Sequence, residues 1–159
     1  MNKKILVLLS FAVVVAGMST ACALDLNDLS NVLLSSPEEN VTVCGINFTV
    51  PEGYSEIENE SVDSEPLGVP LLDVNISTKS FMNEKGDVLI LSASSSDVPA
   101  NDDYAKDAAG EEGNRTTING VDGYQYNDPD FYGFTFAKDG KLVIISASDK
   151  EVFNDVVVA

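Results

Sequence analysis

The side chains in this sequence that could do chemistry are mostly carboxylates. Its 159 residues hold 26 Asp and Glu against nine Lys and Arg, two Cys and no His. Without imidazole there is no Ser-His-Asp or Cys-His activation of a nucleophile and no histidine-bound zinc. A phosphate-cradling loop is missing as well. Gly110-Glu111-Glu112-Gly113-Asn114-Arg115 lacks the Lys-Ser/Thr ending, and its glutamates repel phosphate. Carboxylates alone can hold a hard cation or act as a pair on a glycosidic bond. The cation candidates are Asp97-Val98-Pro99-Ala100-Asn101-Asp102-Asp103 and Asn127-Asp128-Pro129-Asp130. Neither is an EF-hand loop. The first reads equally as an acidic helix start and the second as a solvated turn. A glycosidase needs two carboxylates at a set spacing in a cleft, and the chain has no Trp to stack a sugar. The expectation is no catalytic residue, no metal site and no cofactor, with a calcium-stabilised module and a carboxylate hydrolase as the alternatives.

A second chemistry is written in the asparagines. Asn40-Val41-Thr42, Asn47-Phe48-Thr49, Asn59-Glu60-Ser61, Asn75-Ile76-Ser77 and Asn114-Arg115-Thr116 all fit the N-glycosylation pattern. Composition alone would supply about two such triplets. Two readings stay open: a glycoprotein, or Asn and Thr chosen because they suit wet strand faces and turns.

Glycosylation requires export, and the N-terminus is built for it. Asn2-Lys3-Lys4 is a basic start, Ile5 to Met18 is almost wholly apolar, and Ala21-Cys22-Ala23 fits a small-x-small cleavage site. Residues 1–23 are therefore read as a signal peptide. Left uncleaved, the stretch is long enough to anchor the chain in a bilayer. A lipidated Cys22 is the third option, disfavoured because Ser19 stands where a lipobox usually has Leu. Cleavage removes Lys3 and Lys4, leaving seven basic residues against 26 acidic ones, a net charge of −19 in place of −17. Such acidity excludes nucleic acid and anionic membrane surfaces as partners. The cut also leaves Cys44 as the single cysteine, so no internal disulfide forms and no thiolate cluster can hold a metal. Cys44 stands in a turn position, which predicts an exposed free thiol.

Residues 24–40 read as a lead-in or linker, and 41–159 as one domain. Val41 to Val50 alternates like a hairpin. Ser55 to Pro70 is acidic, aperiodic and broken by Pro66, Gly68 and Pro70, which predicts a loop. Val74 to Met82 is a strand, and the continuous apolar run Val88-Leu89-Ile90-Leu91 is a central one. Asp97 to Gly110 reads as a helix capped by Asp97. From Arg115 onward, Asn119-Gly120 and Asp139-Gly140 punctuate aromatic alternation, the mark of antiparallel hairpins. Tyr124, Tyr126, Phe131 and Tyr132 are candidates for a contact patch. Ser148-Asp149-Lys150-Glu151 resembles a capping box opening a closing helix with Val152, Phe153, Val156 and Val157 as its stripe. There is also an internal echo: Gly86-Asp87-Val88-Leu89-Ile90-Leu91-Ser92-Ala93-Ser94 aligns with Gly140-Lys141-Leu142-Val143-Ile144-Ile145-Ser146-Ala147-Ser148, which reads either as a duplication or as two central strands meeting the same packing demand.

Phe48-Thr49-Val50-Pro51-Glu52-Gly53-Tyr54, the Ile118-Asn119-Gly120 turn and the ending Phe153-Asn154-Asp155-Val156-Val157 together resemble the PsbP-like fold. They are also similar to small exported proteins of uncharacterised function from methanogenic archaea. The resemblance implies an α+β domain, an antiparallel sheet of successive hairpins with helices packed on it and a C-terminal helix closing it. It implies a binding or assembly role over an enzymatic one, and it carries no functional residue across. The partner it points to is an envelope or extracellular one.

Overall fold

The computed structural model describes residues 37–66 and 73–159. The leader, and all of the lead-in before Pro37, fall outside the described residues. In chain order the elements are β1 (Glu39–Val43), β2 (Ile46–Val50), β3 (Tyr54–Glu56), a 3-10 turn (Glu58–Glu60), β4 (Val62–Pro66), β5 (Val74–Asn83) and β6 (Val88–Ser96). Then follow α1 (Asp102–Ala109), β7 (Asn114–Ile118), β8 (Val121–Asn127), β9 (Tyr132–Lys138), β10 (Lys141–Ala147), a 3-10 turn (Lys150–Asn154) and β11 (Val157–Val158).

Two antiparallel sheets result. The smaller has the order β1-β2-β11; the larger runs β3-β5-β6-β10-β9-β8-β7, with β4 also paired to β5. The small sheet packs face-on against the large one. Val43, Ile46, Phe48 and Val50 interlock with Phe81, Leu89, Leu91, Phe134, Phe136, Val143 and Ile145, all buried, and Val152, Phe153 and Val156 close the end. On the far face α1 lays Ala105 and Ala109 over Ile76, Tyr124, Leu142 and Ile144. Alanines let the helix approach closely, and its burial depends on this packing, because eight residues are too few to hold a helix alone.

Three hairpins turn on the same two-residue device. Cys44-Gly45, Asn119-Gly120 and Asp139-Gly140 each place both residues at positive φ, between 49° and 80°. This is the turn whose twist matches that of the flanking strands.

The sequence repeat has a geometric meaning. Leu91 and Ile145, which correspond in the two copies, are paired across β6 and β10, with Ser94 opposite Leu142 and Leu89 opposite Ala147. The β5–β6 and β9–β10 hairpins are thus related by a local two-fold axis through that pair. Phe81, opposite Leu89, and Phe136, opposite Val143, occupy equivalent places in the core.

Several expectations need correction. Among the described residues strands take 55% and helices 14%, so this part of the chain is a mostly-β sandwich with one α-helix, not a helix-packed α+β domain. The closing helix does not form: Lys150–Asn154 is a short 3-10 turn, after which Val157 and Val158 pair with Thr49 and Phe48 of β2. Three consecutive β-branched residues, Val156 to Val158, favour strand over helix. Ser148 is not its cap. Its hydroxyl accepts from the Val88 N–H at 2.9 Å and its own N–H donates to the Val88 carbonyl, while Asp149 accepts from Glu151 N–H. Asn101, not Asp97, caps α1, accepting from the Tyr104 N–H. The described part of the Ser55–Pro70 loop holds most of β3, a 3-10 turn and β4; both strands pair with β5 through backbone, β4 despite mostly exposed side chains.

Candidate functional site

Among the described residues a groove of about 390 Å³ lies at one end of the large sheet, where β7, β8 and β9 meet the 3-10 turn after β10. Strand register assembles it. Asn114 lies opposite Gln125, and Asn127 opposite Tyr132, so three side-chain amides and a phenol ring share one wall. Lys150, presented by the 3-10 turn, and Glu112, from the loop before β7, complete the lining together with Tyr126. The Asn114 amide donates to the Glu112 carbonyl at 3.0 Å, which fixes the corner. The turn beyond is closed by Asp128 N–H donating to the Phe131 carbonyl at 2.8 Å.

Tyr126 is held in place by a missing side chain. A Cβ on Gly133 would overlap the Tyr126 ring, so the ring lies directly on the backbone of β9. Burial pushes the Tyr126 phenol up from its usual pKa of 10; a hydrogen bond with Ser146 pulls it back in part and Asp128 adds to the rise. The phenol is therefore neutral at physiological pH and serves as donor and acceptor, not as a base. Chemically the groove offers amide donors and acceptors, two phenol rings, one ammonium and one carboxylate. A single carboxylate cannot perform the two-acid cleavage of a glycosidic bond.

The other sequence-predicted residues are placed as follows. In the expected aromatic patch Tyr124 is buried and Tyr126, Phe131 and Tyr132 are half-buried. Tyr126 and Tyr132 reach the groove, whereas the Tyr124 hydroxyl donates to Asp102 at 2.8 Å. Asp102 also accepts from Arg115 at 3.3 Å, and the Arg115 guanidinium lies 5.8 Å from the centre of the Tyr124 ring. Hydrogen bonding to Asp102 raises the Tyr124 pKa, with burial second. Of the proposed calcium ligands, Asn101 and Asp102 are therefore occupied with capping and pairing. Among the described residues no three His, Cys, Asp or Glu are grouped to hold a metal ion. Likewise no helix among them is long and apolar enough to cross a membrane.

Cys44 is a free thiol, but it is half-buried against the main core, not exposed as expected. Of the sequons, Asn40, Asn47, Asn59 and Asn114 are exposed, and Asn75 is half-buried within β5.

Two features were missed by sequence reasoning. Asn119 was expected only to make a turn, yet its amide donates to the carbonyls of Phe153, Asn154 and Val156 at 3.2, 2.9 and 2.8 Å. It thereby ties the β7–β8 turn to the C-terminal segment. The groove itself joins residues from 112 to 150; the sequence drew notice to Asn114 as a sequon and to Asn127 as a cation candidate, but to neither as part of one site. Comparison with protein-family models, with curated proteins and with solved structures finds no match to this chain.

Proposed function

We propose that the chain is an exported, non-catalytic binding domain that works at the cell envelope, with the β7–β9 groove as its contact surface and a neutral saccharide chain as the ligand class. The groove's lining carries the reading. Gln125 and Asn127 combine a donor and an acceptor in each side chain, which matches hydroxyl groups that are both at once. Tyr132 supplies an apolar face for a sugar ring, and a volume of about 390 Å³ suits one or two residues of a polymer. A net charge of −17 repels polyanions, which selects a neutral ligand. Support for export comes from the basic, apolar and small-residue order of residues 1–23.

The test is equilibrium dialysis of the unglycosylated chain against neutral and acidic envelope polysaccharide fractions, with product analysis of each mixture. Neutral fractions should bind and emerge uncut, and Tyr132→Ala should weaken binding about tenfold, in line with the loss of one aromatic contact. Equal binding by the variant, or shortened saccharide products, would overturn the proposal.

A further inference from the structure

The sheets have four open edges among the described residues: β1 and β11 in the small sheet, β7 and the β3/β4 side in the large one. An open edge presents unpaired N–H and C=O groups that invite another chain, and proteins protect such edges explicitly. Edge charge is scarce on two of them, whereas the β3/β4 side carries Glu56, Asp63, Glu65 and Pro66. β7 carries one Arg and no Lys, Pro or acidic residue, and β1 carries only Glu39. Three of the four edges carry a sequon with an exposed asparagine: Asn40 on β1, Asn114 on β7, and Asn59 in the turn between β3 and β4. The fourth edge, β11, is two residues long and offers little to pair with.

From this coincidence we infer that Asn40, Asn59 and Asn114 are N-glycosylated and that the attached oligosaccharides guard the three long edges against strand pairing between copies. The inference rests on the proposed export. In the transfer the asparagine Nδ2 bonds to C1 of a sugar carried on a polyprenyl phosphate. The C1–O bond to the phosphate breaks, the phosphate leaves with the bonding pair, and one amide proton is released. The folded geometry accommodates the product. Asn40 Oδ1 accepts from the Thr49 hydroxyl at 3.0 Å, which leaves its Nδ2 without a partner among the described residues. Asn114 Nδ2 donates one hydrogen bond, to the Glu112 carbonyl, and a glycosylated amide keeps one N–H for it. Asn75 is the contrasting case. It lies in β5 between Pro66 of β4 and Ser95 of β6, and the Ser77 hydroxyl of its sequon is buried and accepts from the Ser64 N–H. It stays bare.

The full chain is produced in a host that N-glycosylates exported proteins, alongside a version with the host's own leader in place of residues 1–23. Intact mass and peptide mapping should place sugars on Asn40, Asn59 and Asn114 and none on Asn75. A bare polypeptide mass for the version with the host leader, or sugars on Asn75 with the edges empty, overturns the inference. Retention of the native-leader chain in the cytosol overturns export alone, since the second version still reports on the sequons. Sedimentation then compares the glycosylated protein with an N40Q/N59Q/N114Q variant from the same host. The glycoprotein should remain monomeric at concentrations where the variant self-associates. A variant that stays monomeric alongside it refutes the guarding role.

Discussion

Thr135 offers a sharp test of the packing described above. It lies in β9 between Ile144 of β10 and Tyr124 of β8, on the face that α1 covers, and is 0% exposed. Its hydroxyl finds no hydrogen-bond partner. Burying a hydroxyl without a partner costs about 1–3 kcal/mol in proteins. Thr135→Val removes that cost, keeps the branched shape and substitutes a methyl group that gains up to about 0.8 kcal/mol from burial. Subtracting for imperfect fit of the larger methyl, the variant should be more stable by about 1–2 kcal/mol, a rise in melting temperature of about 3–8 °C. Thr78 is the internal control. It is equally buried, but its hydroxyl pairs with that of Ser92 at 3.0 Å. Thr78→Val leaves Ser92 unpaired and should destabilise by about 1–2 kcal/mol. Urea unfolding of the two variants reads out the same substitution with opposite signs. A Thr135→Val variant less stable than the parent by about 1 kcal/mol or more, the worth of one hydrogen bond, would mean that the hydroxyl does have a partner and that the sheet–helix packing is misassigned.

Other outcomes follow from individual contacts. Asn119→Gly keeps the positive φ of the turn but removes the one amide group that reaches three C-terminal carbonyls; thermal unfolding should show a loss of about 1–3 kcal/mol. Tyr54 is 7% exposed, and burial, with Asp87, Asp149 and Asp155 nearby, pushes its phenol up to about 12 from the usual 10. Its folded pKa lies above its unfolded one, so its contribution is complete below pH 10 and falls away as pH rises toward 12. That is a loss of about 3 kcal/mol, and the difference between wild type and Tyr54→Phe in urea titrations over this window should show it. Gly133→Ala should displace the Tyr126 ring, abolishing saccharide binding in dialysis while leaving far-UV circular dichroism strand content intact. Ser148→Ala removes the hydroxyl that accepts from Val88 N–H and should cost about 1 kcal/mol, whereas Glu151→Ala should cost less than half of that, because no reciprocal cap is formed.

The hairpins were legible because their signals are local. Asn119-Gly120 and Asp139-Gly140 specify the turn, and the alternation of Tyr124, Phe134 and Phe136 with smaller neighbours specifies the faces. Even the internal repeat proved to mark a symmetry of strand pairing. What failed depended on partners distant in the chain. β4 has the sequence of a loop, since an edge strand with exposed side chains is held by backbone bonds to β5 and by nothing a pattern can reveal. Ser148 and Glu151 have the spacing of a capping box, yet Val88, sixty positions away, claims the hydroxyl. Val152, Phe153 and Val156 do supply a buried stripe as expected, but a 3-10 turn satisfies it as well as an α-helix would. The groove was invisible for the same reason: amides at 114, 125 and 127 become neighbours only through register.

The central claim is that the amide-lined end of β7–β9 takes a neutral saccharide and leaves it whole. A titration of the isotope-labelled chain with neutral envelope oligosaccharide, followed by amide NMR, addresses it directly. Shifts confined to residues around Gln125, Asn127, Tyr132 and Lys150, with the sugar signals unchanged over days, are predicted. Shifts elsewhere on the sandwich, or new reducing-end signals from cleaved sugar, would contradict it.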